Sequence, residues 1–166
     1  MVKTLKTVLI ISDSHASTIK QLPERVVNKL KSVDMVLHAG DHTEESLYEE
    51  LSRACDLYAV CGNTDSQALK SRLPRSLVVE VEDIKIGLTH PIEGGIPFSI
   101  EKKVCSMFKD VDIVVYGHTH RAKVTRRADT LLINPGSVTG VFPAFSKTCA
   151  LLCVDGRVAN FRLVKV

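Results

Sequence analysis

The sequence lacks the cysteine patterns that build disulfide frameworks or thiolate metal sites. Its five cysteines are odd in number, and no two of them form a Cys-x-x-Cys pair, which argues against both kinds of site. Cys149 and Cys153 lie four residues apart on a predicted strand, too far apart to bond to each other. Cys61 is expected to be a small buried core residue. These cysteines are typical of a reducing compartment.

The sequence also lacks long hydrophobic runs and a strong charge of either sign. No segment approaches the roughly 20 apolar residues of a membrane span. The apolar run that ends before Asp13 is shorter than the roughly 7 to 15 residues of a signal peptide core. The net charge of +3 is mild and does not by itself indicate nucleic acid. We therefore expect a soluble, cytoplasmic protein with no membrane partner, and its 166 residues fit one domain over 1–166.

Short apolar runs, rich in β-branched residues, predict five buried strands at 7–12, 35–39, 57–61, 84–89 and 113–115. Each run ends at oxygen or nitrogen donors, namely Asp13 and His15, Asp41, Asn63, His90, and His118 with His120. In open α/β sheets, ligands gather beyond the carboxyl ends of the strands. We therefore predict that these side chains converge on one crevice. His118 and His120 would point the same way if the backbone stayed extended, because side chains at i and i+2 share a face of an extended chain.

Apolar residues recur at helical spacing in the segments that connect the first three predicted strands. This spacing predicts one helix at about 23–32 and a second helix after Thr43, which we expect to be the cap of the second helix. Leu47, Leu51 and Ala54 would form the buried face of that helix. Together with the first three strands, the two helices predict a βαβαβ unit.

The middle of the chain is predicted to be less regular. Residues 65–76 lack clear periodicity and contain a proline, so we expect a connector. Residues 77–81 and 84–89 predict a hairpin. A glycine-containing loop is expected at 91–95, followed by a helix that begins near Pro97.

The last part of the chain is predicted to consist of strands and turns. Strands are predicted at 123–127, 131–134, 148–154 and from Arg157. The segment 134–137 is predicted to be a simple turn. A half with helical crossovers followed by a half with hairpins predicts an α/β fold, in which two sheets pack face to face with helices outside.

The seven donors supply carboxylate, amide and imidazole groups but no thiolate. This mixture is too rich in nitrogen for calcium or magnesium alone and suits Mn, Fe, Co, Ni or Zn. Seven residues exceed what one ion needs. We therefore predict two divalent transition-metal ions, about 3.5 to 4 Å apart, that share a bridging carboxylate. Such a centre would retain a small positive charge and favour an anionic substrate, for which phosphate esters are the obvious candidates.

The polar segments resemble the successive motifs of the calcineurin-like metallophosphoesterase superfamily. They are Asp13-Ser14-His15, Gly40-Asp41, Gly62-Asn63-Thr64-Asp65, Thr89-His90 and Gly117-His118-Thr119-His120. The chain length and the sequence Asn134-Pro135-Gly136-Ser137 are similar to the small YfcE-like phosphodiesterase branch of that superfamily. The resemblance implies a four-layer αββα sandwich of two mixed sheets and a small-molecule phosphate-ester substrate.

The resemblance also implies roles for the individual ligands. The first ion would be held by Asp13, His15 and His120. The second ion would be held by Asn63, His90 and His118. Asp41 would bridge the two ions, for which manganese is the expected metal, and a hydroxide between them would attack phosphorus in line. Catalysis would then depend on Asp41, Asn63 and His118, through the ions and the substrate.

Two residues depart from the pattern of the superfamily. Pro91 replaces a usual glycine at the substrate mouth, and Thr64 replaces a histidine that assists the leaving group in many members. A threonine is not an acid at neutral pH, so we expect either a preference for good leaving groups or another proton donor. The candidate donors are His42, Asp65 and His38. Alternatively, His42 would be an exposed loop side chain. His38 would alternatively be packed in the core or in the layer behind the ligands.

Two other functions fit parts of the sequence. The apolar segment 138–145 supports a scaffold of the same fold, because it could bind a partner or a second copy in a homo-oligomer. The retromer subunit of this fold is such a scaffold, but it lacks part of the ligand set. A nuclease or nucleotide phosphatase is supported by a basic cluster, which could instead be a solvated hairpin face. That cluster consists of Arg121, Lys123, Arg126 and Arg127.

Overall fold

The computed structural model describes residues 5–91 and 97–166 of the chain. The strands in these ranges are β1 (Lys6–Ile11), β2 (Met35–His38), β3 (Leu57–Ala59), β4 (Ser76–Val81), β5 (Ile84–Thr89), β6 (Ile113–Tyr116), β7 (Lys123–Arg127), β8 (Thr130–Asn134), β9 (Thr148–Asp155) and β10 (Val158–Lys165). The helices are a 3₁₀ turn (Ile19–Gln21), α1 (Glu24–Leu30), α2 (Glu45–Ala54), α3 (Gln67–Arg72) and α4 (Pro97–Ser106).

The strands form two five-stranded sheets, and both sheets are mixed. The first has the order β10-β9-β1-β2-β3, in which β1, β2 and β3 are parallel. The second has the order β4-β5-β6-β8-β7, in which β5, β6 and β8 are parallel. The strands that precede the predicted donors are therefore parallel within each sheet, and their carboxyl ends lie at one edge of it. The predicted fold class is confirmed.

Alternating side chains explain why the strands are apolar on both faces. On β1, Val8 and Ile10 belong to the core between the two sheets, whereas Leu9 and Ile11 pack with the residues of α1 and α2. On the outer face of the second sheet, Val104 of α4 packs against the residues of β6 and β8. The chain is thus layered as helix, sheet, sheet and helix, as the αββα prediction requires.

Helix α2 corrects the predicted role of Thr43. The N-cap of α2 is Glu44, while Thr43 has a left-handed φ of 89°, which is not the extended conformation that a capping residue adopts. Leu47 and Leu51 are fully buried as predicted. Ala54 is exposed, because the apolar stripe of this helix is covered only along its earlier turns.

The segment 65–76 is not a simple connector, because it contains helix α3. Ser66 caps this helix, and its side chain accepts a hydrogen bond from the backbone N–H of Leu69. Leu69 and Leu73 are buried in a small cluster that also contains Cys61. A helix of six residues is too short to repeat its apolar spacing, so the periodicity could not reveal it.

The remaining elements follow the prediction. Strands β4 and β5 form an antiparallel hairpin, and α4 begins at Pro97. The predicted loop at 91–95 lies, apart from Pro91, outside the described residues. The cysteines are free, and Cys61 is buried as expected. Within the described ranges, none of the helices has the length and apolar character needed to span a bilayer.

Candidate metal centre

Sharp backbone turns after the strands direct the predicted donors into one crevice. Positive φ angles between 43° and 80° occur at five of the seven donors, which are Asp13, His15, Asp41, His118 and His120. Residues other than glycine rarely adopt this left-handed conformation, and they often mark functional sites where they do. The turns bring together donors from both sheets, as the strand-end pattern predicted.

Four donors form a first cluster. The ligand atoms of Asp13, His15, Asp41 and His120 all lie within 4.8 Å of one another. Within the cluster, His120 Nε2 is 3.3 Å from Asp13 Oδ1 and 3.2 Å from His15 Nε2. The two aspartates are buried and the two histidines are partly buried. Two carboxylates and two imidazoles at this spacing suit a single transition-metal ion.

The other three donors form a second cluster. Asn63 Oδ1 lies 3.0 Å from His90 Nε2 and 3.0 Å from His118 Nδ1. Asp41 lies between the two clusters, since its Oδ2 is 3.5 Å from His90 Nε2 and 3.7 Å from His15 Nε2. A carboxylate that contacts two ions would need a position of this kind.

His118 and His120 do not point the same way, because the backbone between them is not extended. Their φ angles are 80° and 58°, so the chain is not extended at either residue and the two-residue alternation is lost. His118 contacts Asn63 in the second cluster, whereas His120 contacts Asp13 in the first. One short segment after β6 therefore serves both clusters.

Backbone carbonyl groups orient two of the imidazole rings. His90 Nδ1 lies 2.7 Å from the oxygen of Ala39, and His120 Nδ1 lies 3.0 Å from that of Val141. A carbonyl oxygen only accepts, so both Nδ1 atoms donate and the Nε2 atoms of the neutral rings carry lone pairs. His90 Nε2 lies next to Asn63 Oδ1, so these two atoms are placed to bind one cation together. The donor chemistry fits divalent transition metals.

Burial and neighbouring charges give the histidines different pKa values. Burial lowers the pKa of His15 and, together with the neighbouring His90, that of His118. The hydrogen bond to Asp13 raises the pKa of His120 to about 9, although burial opposes this. A metal ion that binds His120 at neutral pH must therefore displace a proton.

Two glycines allow the loops of the site to approach closely. Gly40 has a φ of 90°, and a Cβ atom there would lie 2.6 Å from His90 Nδ1. A Cβ atom at Gly62 would collide with the carboxylate of Asp41. A side chain at either position would push a ligand out of place.

Asp65 ties together the loops that follow β2 and β3. Its carboxylate accepts hydrogen bonds from the backbone N–H groups of Gly62 at 2.7 Å and Thr43 at 2.8 Å. It also lies 3.3 Å from His42 Nδ1. Although burial opposes the shift, these hydrogen bonds and the His42 ring lower the pKa of Asp65. The ionised carboxylate of Asp65 thus stabilises both loops that carry metal-ligand candidates, on the side away from the crevice.

The alternative of an exposed loop position for His42 is wrong, because the side chain is fully buried. Its ring stacks on that of His38, which is also fully buried, with the centroids 3.7 Å apart. His38 Nε2 lies 2.6 Å from Ser14 Oγ, and burial lowers the pKa of His38 well below its usual value. Asp65 is only 3% exposed, so all three candidate proton donors lie beneath the surface. They form a supporting layer behind the ligands.

The segment 134–137 does more than reverse the chain. Asn134 Nδ2 donates to the carbonyl oxygen of Gly117 and to Thr119 Oγ1. Ser137 Oγ donates to the carbonyl oxygen of Asp13 at 2.8 Å. This supporting role was missed, although Asn134 ends a strand that runs parallel to β6 and so reaches the same edge of the sheet.

Thr64 lies at the open side of the first cluster. Its side chain is exposed, and its Oγ1 lies 3.4 Å from His15 Nδ1. Its backbone N–H donates to Asp41 Oδ1 at 2.9 Å. The residue at position 64 therefore faces the site and brings no acidic proton to it.

The basic cluster lies on the exposed surface next to the site. Each of its four side chains is exposed, which agrees with a solvated face. Lys123 forms an ion pair with Glu101 at 2.6 Å. Arg121 stands directly after His120, so one member of the cluster adjoins the candidate centre.

Replacing Asp65 with asparagine should weaken metal binding without removing any ligand. The neutral amide accepts backbone N–H bonds less strongly than a carboxylate, so the loops after β2 and β3 would lose order. We expect the affinity for Mn²⁺ to fall about 10- to 100-fold, which is typical when groups behind the ligands are altered. Titration of the metal-free protein measures this, with Asp129→Asn in an exposed turn as the control. Equal affinities in the two variants would contradict the role assigned to Asp65.

Comparisons with known proteins find phosphoesterases that are similar to this chain. Residues 7–157 match the calcineurin-like phosphoesterase superfamily domain. The chain is 33% identical over 135 residues to a probable metallophosphoesterase of Methanocaldococcus jannaschii, a match that covers 78% of this chain and 67% of the relative. It is 28% identical over 122 residues to a phosphodiesterase of the same organism, with 66% and 70% covered.

A solved structure extends the similarity to nearly the whole chain. Vacuolar Protein Sorting 29 from Cryptosporidium parvum superposes with a TM-score of 0.76 at 26% sequence identity, and 98% of each chain is covered. The family match, over residues 7–157, contains all seven predicted donors and the second sheet, together with β9, β2, β3 and most of β1 from the first. This chain therefore belongs to the calcineurin-like phosphoesterase superfamily.

Proposed function

We propose that this protein is a metal-dependent phosphodiesterase with a dinuclear centre. Asp13, His15 and His120 would hold one ion, and Asn63, His90 and His118 the other. Asp41 would contact both ions. The observation that carries the proposal is the position of Asp41 Oδ2, which is 3.7 Å from His15 Nε2 and 3.5 Å from His90 Nε2.

Mn²⁺ is the expected ion, and Ni²⁺, Co²⁺, Fe²⁺ and Zn²⁺ also suit a set of imidazole, carboxylate and amide ligands. Such ions, when bound, supply positive charge and lower the pKa of a coordinated water. The chain itself keeps the ligands in place. Backbone carbonyls fix the rings of His90 and His120, and Ser12 Oγ donates to Asp13 Oδ2 at 2.8 Å.

The open side of the centre supports a preference for esters with good leaving groups. Thr64 occupies the open side beside His15, and its hydroxyl group is not an acid at neutral pH. His38, His42 and Asp65 lie behind the ligands with side chains that are nearly or fully buried. An aryl oxide can leave without a proton, whereas an alkoxide needs one.

The names of the relatives fit both hydrolysis and scaffolding, and the ligand set favours hydrolysis. One relative is named a phosphodiesterase, while a structural relative is named for vacuolar protein sorting. A scaffold has no need for a complete set of metal ligands, and the seven donors of this chain lie in two adjacent clusters. This arrangement favours a catalytic centre.

Removing the metal should abolish the activity. We expect the purified protein to hold about two transition-metal ions per chain, and a chelator to remove hydrolysis of bis(p-nitrophenyl) phosphate. Adding Mn²⁺, Co²⁺ or Ni²⁺ to the metal-free protein should restore it. Elemental analysis and initial rates measure both quantities. Full activity in the metal-free protein, or maximal activity with one ion per chain, would contradict a dinuclear centre.

Substrate comparison separates this function from its rivals. We expect aryl phosphodiesters to be hydrolysed faster than aryl monoesters, cyclic nucleotides and single-stranded nucleic acid under the same metal loading. Faster cleavage of nucleic acid would instead favour a nuclease. No hydrolysis of any ester by the fully loaded protein would favour a scaffold.

A further inference from the structure

A pocket of about 340 Å³ opens directly beside the candidate centre. Its lining includes His120, which is one of the seven donors, together with Arg121, Lys123 and Phe145. This volume lies within the range of sites that bind small organic groups. A phosphate group held at the centre would therefore have this pocket within reach of one of its substituents.

The aromatic wall of the pocket is exposed, and the segment that carries it is anchored at its start. Phe145 is 89% exposed. The segment that carries it begins at Val138, which is fully buried. Ser137 Oγ also accepts the backbone N–H groups of Gly140 and Val141, each at 3.0 Å. The apolar segment 138–145 is therefore partly core, and it presents an aromatic ring beside the centre.

A cation is already placed over this ring. The guanidinium carbon of Arg121 lies 5.3 Å from the centre of the Phe145 ring, within the range of a cation–π contact. Lys123 on the same wall pairs with Glu101 at 2.6 Å. The pocket thus combines a flat apolar surface with positive charge, a combination that suits an aromatic ring attached to an anionic phosphate.

We propose that this pocket binds the ester group that stays on phosphorus after hydrolysis, and that this group is a planar aromatic ring stacked on Phe145. The inference rests on the proposed phosphodiesterase function and names the substrate class of that site. The single ester group of a monoester substrate is its leaving group, so no retained group remains to fill the pocket. The pocket therefore favours the hydrolysis of diesters. Aryl esters and nucleoside esters share the required ring.

The test keeps the leaving group constant and changes only the retained group. The substrates are the p-nitrophenyl diesters of methanol, phenol and the thymidine 5′-hydroxyl. For the wild type, kcat/KM should be higher for the phenyl ester than for the methyl ester. Phe145→Ala should lower kcat/KM for the phenyl ester about tenfold, as expected for the loss of one stacking surface. It should change kcat/KM for the methyl ester less than twofold.

Phe142→Ala is the matched control. Phe142 is also 89% exposed and lies in the same segment, but it is not among the residues that line the pocket. Its substitution should leave all three values unchanged. Phe145→Leu keeps an apolar side chain without an aromatic face and should resemble Phe145→Ala. A loss that includes the thymidyl ester would assign the pocket to nucleoside esters, and a loss confined to the phenyl ester would assign it to simple aryl esters.

Binding measurements separate this inference from the proposed function. Calorimetry on the metal-loaded protein should give a tighter Kd for phenyl phosphate than for methyl phosphate, and Phe145→Ala should remove that difference. If no ester is hydrolysed but the difference in Kd remains, the function fails while the pocket stands. If hydrolysis proceeds but Phe145→Ala affects the phenyl and methyl esters equally, or affects neither, the pocket assignment is overturned.

Discussion

Asp41→Asn should lower kcat/KM for an aryl phosphodiester about 10³-fold, because the lost carboxylate charge is worth several kcal/mol to a dinuclear centre. The structure supports a single carboxylate that serves both clusters, since Asp41 Oδ2 lies between the Nε2 atoms of His15 and His90. Asparagine has nearly the same shape and can still accept the backbone N–H of Thr64, which now bonds to Asp41 Oδ1. The substitution therefore removes charge rather than packing.

The matched comparison is His15→Ala, which removes a ligand from the first cluster only. His15 is partly exposed, and the remaining donors of its cluster are Asp13, Asp41 and His120. We expect this variant to keep more activity than Asp41→Asn and to lose less metal. Elemental analysis and kcat/KM decide the order, after circular dichroism has confirmed that both variants are folded. Equal or reversed losses would argue against Asp41 as the shared ligand.

Thr64→His should raise kcat/KM for an alkyl phosphodiester by about tenfold while it changes the value for an aryl diester little. A general acid in the right place accelerates such reactions about 10²- to 10⁴-fold. The smaller gain expected here reflects an introduced imidazole that no neighbouring group orients, since small misplacements are costly. Thr64 lies on the open side next to His15, so a longer side chain there would face the leaving group rather than the core.

The informative quantity is the ratio of kcat/KM for the aryl ester to that for the alkyl ester. Thr64→Gln is the control, because glutamine has a similar length and does not donate a proton as an acid. Both variants must carry the same metal content as the wild type. A ratio that falls only in Thr64→His would support the hypothesis that the wild type lacks a general acid at position 64. An unchanged ratio with intact metals would mean that position 64 does not face the leaving group.

The strand pattern carried most of the fold prediction. The predicted strands 7–12 and 113–115 are buried on both faces, except at the partly buried Thr7, so their burial could be predicted from composition alone. Helix α3 was missed because two buried leucines are too few to establish a helical period. Thr43 was misassigned because its left-handed φ of 89° depends on the loop between β2 and α2, which local residue preferences do not specify.

The supporting layer of the site was the least predictable part. His42 looked like a loop residue because it follows Asp41 in a polar segment, but the bond to Asp65 and the stacking on His38 bury it. The contact with Asp65 joins residues 23 positions apart. A pattern of neighbouring residues in the sequence cannot predict such a contact, because it forms only when the loops after β2 and β3 pack together.

The sequence by itself determined the donor types and the strand ends on which they stand, because strand burial and ligand chemistry are local properties of the chain. From these followed the predictions of one crevice, of metals that bind nitrogen and oxygen, and of an anionic substrate. The residue pattern alone did not divide the donors into two clusters, although the family resemblance implied such a division. The tertiary structure creates it, with Asp41 between the clusters and His118 separated from His120. That division depends on positive φ angles at the strand ends, which are stabilised by hydrogen bonds between distant segments and leave no periodic trace in the sequence.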